Sequence, residues 1–302
     1  IFFVRTLDRL GKGVRTAARD AMLSQEATKE TKGRVFGFHR GMDTVGAAIG
    51  PALALVFLFF YPGQYQTLFY LAFIPGVLAI LLIFLLKEKK QPATSIAKGH
   101  FFSFFKYWKI ATPEFRKVTA GLLLFALFNS SDVFLLLITK ETIGDNTVTI
   151  MDVTFNADSL TIAAYILYNL SYAIFSYPMG ALADRFSFKS IIITGFILFA
   201  VVYGGFAFSP SIPVIFLLFA VYGIYAAATE GVVKAWISNL ADSRHTATAI
   251  GFYTSCESIS TLLASIIAGA LWVNLGSTST FITTSAIAIL VCIYFLLKIK
   301  DK

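Results

Sequence analysis

The chain has 302 residues, of which 57% are hydrophobic and 14% are charged, and its net charge is +8. Soluble domains are about 45–50% apolar and about 25% charged. The composition therefore excludes an ordinary soluble domain and indicates several membrane spans. The apolar stretches show no strict alternation and are about 20 residues long, which favours transmembrane helices over a β-barrel.

The basic residues cluster in alternate connections between the apolar stretches, as the positive-inside rule describes. The positive charge therefore reflects membrane topology, and no nucleic-acid partner is expected. Cys256 and Cys292 both lie inside apolar stretches. The histidines have no cysteine at ligand spacing, so we predict no disulfide framework, no metal and no cofactor.

Residues 1–24 predict a polar membrane helix whose charged side chains recur every three or four positions and share one face. Such a face is costly against lipid, so it must line a cavity or meet other helices. Arg5 and Arg9 are expected to contact an anionic group of the substrate or to neutralise Asp8. The alternative is a cytoplasmic amphipathic segment.

Two further spans are predicted at 35–60 and 65–86. The first carries the small-residue pattern Gly46, Gly50 and Pro51, which suits close helix packing. The longest polar connection follows the second span and covers residues 87–117. Within it, the aromatic residues and lysines of residues 101–109 predict a helix on the membrane surface.

The second half of the chain contains six more predicted spans. The first, at 118–139, contains a polar cluster of Asn129, Ser130, Ser131 and Asp132. The acidic connection 140–158 follows and is expected on the side opposite to the basic loops. The remaining spans are predicted at 159–182, 190–208, 214–236, 248–272 and 280–298.

The short connection between the spans 159–182 and 190–208 contains Gly180, Leu182, Ala183, Asp184, Arg185 and Lys189. With these residues it resembles the loop signature G-x-L-A-D-R-x-G-R-K of the major facilitator superfamily, from which it departs at Ser187 and Phe188. Asp184 and Arg185 are expected to pair with each other and with a neighbouring helix end. Lys189 is expected in water on the basic side.

Two other stretches support the same resemblance. Arg5, Asp8 and Arg9 fall within a pattern similar to R-x-x-Q-G-x-G of the fourth helix of that family. Gly50 and Pro51 end a pattern similar to G-x-x-x-G-P of the fifth helix of its exporters. The resemblance implies an all-α membrane protein with the family's fold of two parallel six-helix repeats.

A weak internal repeat agrees with this fold. Gly37-Phe38 matches Gly251-Phe252 at an offset of 214 residues, and Asp43 then falls on Glu257. The offset implies that roughly a hundred residues, enough for three helices, precede Ile1. The chain would then hold about nine helices, numbers 4–12 of twelve, although a natural nine-span remnant is the alternative.

The expected domains are residues 1–86 as the end of the N-terminal helix bundle, 87–117 as a central cytoplasmic loop, and 118–302 as a C-terminal six-helix bundle. The resemblance implies a monomeric, multi-pass protein of the inner cell membrane. Its partners would be lipid, a small-molecule substrate and protons, with sodium as the alternative coupling ion.

Carboxylates at membrane depth are the candidates for proton coupling, because an ionised group there is costly. Asp132 and Glu257 are preferred because neither has a basic neighbour in sequence. Asp43 and Glu230 are also candidates. Alternatively, Asp43 closes an inner gate with Arg40 and His39, and Glu230 forms a structural pair with Lys234.

Asn129, Tyr168 and Asn169 are expected to line the substrate cavity. Two other classes of protein remain open. In a membrane enzyme, His39 and Asp43 would be an acid–base pair, but no nucleophile or metal cluster accompanies them. A receptor or scaffold would need fewer buried charges. Export by antiport is the expected direction, and uptake by symport is the alternative.

Overall fold

The computed structural model describes residue 16 and residues 19–85, 107–150, 153–208, 210–242 and 245–299. The predictions for Arg5, Asp8 and Arg9 lie outside these residues. The elements are α1 (described over 19–26), α2 (Lys32–Phe60), α3 (Tyr65–Ile83), α4 (Tyr107–Ile110), α5 (Pro113–Ala126), α6 (Val133–Ile143), β1 (Val148–Ile150), β2 (Val153–Phe155), α7 (Ala157–Arg185), α8 (Phe188–Phe206), α9 (Ile212–Leu240) and α10 (Thr246–Lys298).

The expected all-α membrane architecture is confirmed. Six of the described helices, α2, α3, α7, α8, α9 and α10, are long and apolar enough to cross a membrane. Helix α10 has 53 residues, and Gly276 divides it into two arms with φ 85° and ψ 168°. This left-handed backbone suits glycine, and it separates the two spans predicted at 248–272 and 280–298.

The span predicted at 118–139 is wrong as one continuous helix. The structure divides it into α5 and α6, which are separated by residues 127–132. Thr112 begins α5 by accepting the Phe115 amide at 3.2 Å, with Pro113 at the first helical position. The break coincides with the polar cluster, whose side chains compete for backbone hydrogen bonds.

The acidic connection contains a small element that the sequence did not predict. Strands β1 and β2 pair antiparallel, with Val148 opposite Phe155. The hydroxyls of Thr149 and Thr154 also lie 3.2 Å apart across the pair. The connection therefore carries a short hairpin between α6 and α7.

Helices α2 and α7 pack closely through small residues. Gly33, Gly37 and Gly41 recur every four positions on α2 and face Gly180 and Ser176 of α7, among other residues. A Cβ added at Gly33 would collide with the Gly180 carbonyl oxygen, and one added at Gly37 would collide with that of Ser176. The close approach expected at Gly180 is therefore present, and it is set by backbone contact.

The core lies around α7, α8, α9 and the second arm of α10. Aromatic rings fill it, as shown by Phe125 stacked on Phe196 with centroids 4.0 Å apart and Phe199 on Tyr203 at 4.1 Å. Helix α2 begins at Lys32 and α10 at Thr246, which is 214 residues later. The two helices thus begin at equivalent positions of the internal repeat.

Residues 107–110 form the described end of the predicted surface helix. Tyr107 is buried with its ring centroid 5.2 Å from that of Phe115, and Trp108 lies 5.7 Å from Phe252. Burial raises the pKa of the Tyr107 phenol, and the Asp242 carboxylate adds to the shift. This end therefore packs against the helix bundle through Tyr107 and Trp108, and the surface position of residues 101–109 stays a prediction.

Candidate functional site: an acidic cavity between three helices

A cavity with a volume of about 840 Å³ lies in the described part of the chain. Its wall is formed by α5, the break after α5, α9 and the first arm of α10, with Phe196 contributed by α8. Backbone that is not helical is tolerated at membrane depth where it lines a cavity. The break between α5 and α6 is therefore tolerated because residues 129–132 line the cavity.

Asp132 lies at the start of α6 and lines this cavity. Its carboxylate does not cap the helix; instead Oδ1 accepts a hydrogen bond from the Tyr222 hydroxyl at 2.7 Å. Asn129 also lines the cavity, and its Nδ2 donates to the Tyr225 hydroxyl at 3.0 Å. The side chains of Asp132 and Asn129 are therefore both bound by tyrosines of α9.

Glu257 reaches the same cavity from α10. Its Oε1 accepts a hydrogen bond from the Tyr253 hydroxyl at 2.9 Å, one helical turn earlier. Among the described residues, neither Glu257 nor Asp132 forms a salt bridge. Each of the two preferred carboxylates thus accepts a hydrogen bond from a tyrosine hydroxyl.

Glu230 of α9 completes a group of three carboxylates around the cavity. Its Oε2 lies 3.2 Å from Arg40 of α2, and Arg40 also lies 3.5 Å from Asp43 Oδ2. Asp43 does not line the cavity. The guanidinium of Arg40 connects Asp43 with Glu230. The expected pair between Glu230 and Lys234 is wrong.

Lys234 binds a different partner that sequence reasoning missed. Its Nζ lies 2.8 Å from Asp20 Oδ2, and the two side chains are only 7% and 2% exposed. Close by, Lys32 donates to the Ser238 carbonyl at 3.0 Å. Spacing along α9 favoured Glu230 as the partner, because Asp20 lies more than two hundred residues away in sequence.

Two residues expected in the cavity do not line it. Tyr168 is buried against Tyr222, with ring centroids 5.0 Å apart. Asn169 is 3% exposed, and its amide donates to the Tyr165 carbonyl of its own helix at 2.9 Å. Both side chains belong to the packing of α7, because an apolar helix gives no sequence signal for which face meets the cavity.

Asp184, at the end of α7, binds the beginning of α2. Its two carboxylate oxygens accept the backbone N–H groups of Gly33 at 2.7 Å and Arg34 at 2.9 Å. The Arg34 side chain adds an ion pair at 3.6 Å. The expected contact with a neighbouring helix end is therefore present, and a negative charge there complements the helix dipole.

The other residues of this loop differ from expectation. Arg185 lies over the ring of Phe186, 5.5 Å from its centroid, and does not pair with Asp184. Lys189 is only 8% exposed, so its expected position in water is wrong.

The small-residue pattern at residues 46–51 of α2 lies apart from this loop. Gly46 and Gly50 have no atom of the described residues within 4 Å of a Cβ added to them, and Pro51 lines a separate groove with Tyr165.

Comparison with known proteins decides the family. The sequence profile of the Major Facilitator Superfamily matches residues 1–155 and 122–302. The chain belongs to the Major Facilitator Superfamily. It is also 36% identical over 287 residues to an uncharacterized MFS-type transporter of Methanocaldococcus jannaschii, a match that covers 94% of this chain and 68% of that protein.

More distant relatives match a smaller part. Uncharacterized proteins of Mycobacterium bovis and Mycobacterium tuberculosis are 34% identical over 82 residues, which is 27% of this chain and 20% of theirs. Membership of the superfamily identifies the chain as a multi-pass membrane transporter of small molecules. The cavity is the candidate site for that activity, because polar side chains from several membrane-spanning helices converge on it.

Proposed function

We propose that this superfamily member is a proton-coupled secondary transporter that exports a small molecule by antiport. The observation that carries the proposal is the convergence of Asp132, Glu230 and Glu257 on one cavity from three different elements. A bilayer-spanning chain retains ionisable groups at such depth at a cost in insertion free energy. Because the three carboxylates surround one cavity, they can exchange protons with its contents, which isolated structural ion pairs could not do.

Asp132 and Glu257 act as the proton carriers in this proposal. Burial disfavours the charged form of a carboxylate, and neither residue forms a salt bridge among the described residues. Each can therefore take up a proton when the cavity faces one side and release it when the cavity faces the other. Tyr222 and Tyr253 hold the carboxylates in place by donating hydrogen bonds.

Glu230 and Asp43 have a linked part. Arg40 of α2 holds both, so a change of charge on Glu230 alters the contact between α2 and α9. Helix α2 also packs along α7 and is bound there by Asp184. Protonation in the cavity thereby changes the contact that α2, which belongs to residues 1–86, makes with α7 and α9 of residues 118–302.

Antiport is preferred because Gly46, Gly50 and Pro51 are similar to the fifth-helix pattern of exporters in this superfamily. The inner cell membrane is the expected location, and the monomer is the expected unit. Membership of a transporter superfamily weighs against the enzyme alternative, and the Asp43 carboxylate contacts Arg40. Uptake by symport, or coupling to sodium, would use the same carboxylates.

The test uses inverted membrane vesicles that contain the protein and are made acidic inside. Small molecules of positive, neutral and negative charge are added singly, and a pH-sensitive dye reports proton release. The proposal expects that at least one compound causes proton release. This release should be lost in Asp132→Asn or Glu257→Gln, and it should be retained in Glu141→Gln on the acidic connection. If a compound makes the outer medium alkaline, and does so only with right-side-out vesicles, the protein is a symporter. If transport requires sodium, sodium is the coupling ion. Full proton release in both cavity variants would remove Asp132 and Glu257 from the mechanism.

A further inference from the structure

The cavity wall has one sign of charge. Three carboxylates line it, whereas no lysine or arginine does so among the described residues. Within the described part of the chain, Glu230 alone of the three forms a salt bridge, with Arg40 from outside the lining. Asp132 and Glu257 therefore face the cavity without a described salt bridge.

The free hydrogen-bonding capacity of the two unpaired carboxylates is that of acceptors. Tyr222 occupies one oxygen of Asp132, and Tyr253 occupies one oxygen of Glu257. The second oxygen of each carboxylate makes no described hydrogen bond. The buried Oδ1 of Asn129 also lacks a hydrogen-bond partner among the described residues. Acceptors without donors require N–H or O–H groups from whatever occupies the site.

Aromatic rings complete the wall. Phe125, Phe196, Tyr225 and Tyr253 line the same volume as the carboxylates. The faces of such rings attract cations, most strongly where water is excluded. Clefts that bind compounds of drug size have volumes of about 300–1,000 Å³, and the volume of about 840 Å³ falls within that range.

We infer that this cavity binds a protonated organic amine, with Asp132 and Glu257 as the groups that accept its N–H donors. The inference rests on the proposed transport function and names the chemical class of its substrate. It is opposite to the anionic substrate expected from Arg5 and Arg9, which lie outside the described residues. An anion would have to enter beside three carboxylates, and the resulting repulsion would not be offset by any described lining residue.

The binding test uses purified protein in detergent and two dyes that share a tricyclic ring system. Rhodamine 6G is a cation with N–H donors, whereas fluorescein is an anion. Fluorescence anisotropy measures the dissociation constant of each without a proton gradient. The expected result is saturable binding of rhodamine 6G and at least tenfold weaker binding of fluorescein.

Three variants locate the binding. Asp132→Asn and Glu257→Gln should each weaken rhodamine 6G binding by about tenfold, because hydrogen bonds to charged groups contribute more than neutral ones. Glu141→Gln removes one negative charge outside the cavity and should leave the affinity unchanged. Thermal unfolding of each variant, with and without the dye, separates a loss of binding from a loss of folding.

The outcomes are decisive in both directions. Tighter binding of fluorescein, no saturable binding of rhodamine 6G by the native protein, or an unchanged affinity in both cavity variants would overturn the inference. Cation binding without compound-driven proton release in vesicles would support the substrate class and contradict proton coupling. Proton release that only neutral or anionic compounds cause would support coupling and contradict the amine.

Discussion

The carboxylate of Asp184 accepts the backbone N–H of Gly33 at 2.7 Å and thereby binds the first turn of α2 to the last turn of α7. The side chain of Asp184 is fully buried in this contact, and Arg34 supplies a second amide and an ion pair. The first amides of a helix have no partner within the helix. A carboxylate from another helix therefore fixes where α2 begins relative to α7.

The first prediction concerns this contact. Asp184→Ala should lower the free energy of unfolding by about 1–2 kcal/mol, the range found for the loss of a helix-capping side chain. Asp184→Asn should have a smaller effect, because an amide oxygen can still accept one of the two N–H groups. Thermal unfolding in detergent measures both variants, and an equal loss in the two would show that the charge, rather than the cap, decides stability.

The second prediction compares two glycines of the same helix. Gly37→Ala should destabilise the protein by about 1–3 kcal/mol, since the added Cβ would collide with the Ser176 carbonyl. Gly46→Ala has nothing within 4 Å of the added carbon, so the higher helix propensity of alanine should make it neutral or slightly stabilising. Equal unfolding temperatures for the two variants would contradict the close packing of α2 on α7.

The third prediction concerns the buried ion pair of Asp20 and Lys234. Asp20→Asn should cost about 3–5 kcal/mol, because it leaves a buried ammonium without its counter-charge. Adding Lys234→Met to that variant should recover most of the loss. The exposed pair of Lys140 and Asp158 is the control, and Asp158→Asn should change stability by less than about 1 kcal/mol.

A complete cycle of single and double variants measures the coupling between Asp20 and Lys234. A double variant that is no more stable than Asp20→Asn alone would mean that the charge of Lys234 is not what makes the single change costly. Unfolding by chemical denaturant and by heat should give the same order of stability.

The fourth prediction tests the topology. Lys189 is too buried for labelling, whereas Phe186 in the same loop is 66% exposed and Asp145 is exposed on the acidic connection. In a background of Cys256→Ala and Cys292→Ala, Phe186→Cys should react with a membrane-impermeant maleimide only from the cytoplasmic side. Asp145→Cys should react only from the outside, and labelling of both positions from one side would refute the assigned orientation.

The sequence determined the class of the protein and the order of its helices. Apolar length and the clustering of basic residues depend only on what the bilayer excludes, so they can be read without knowing any contact. The repeat offset was also readable, and it agrees with the starts of α2 and α10. Asp132, Glu230 and Glu257 stood out because an ionisable residue in an apolar span is costly wherever its partners lie.

The tertiary structure alone decided which polar groups meet. Glu230 faces Arg40 and Lys234 faces Asp20, although spacing on α9 suggested that the two would pair with each other. Tyr168 and Asn169 turned out to be packing residues because α7 is apolar on nearly every side and gives no amphipathic signal. Partners brought together from distant helices depend on how those helices cross, and backbone contacts such as that of Gly33 with Gly180 set the crossing.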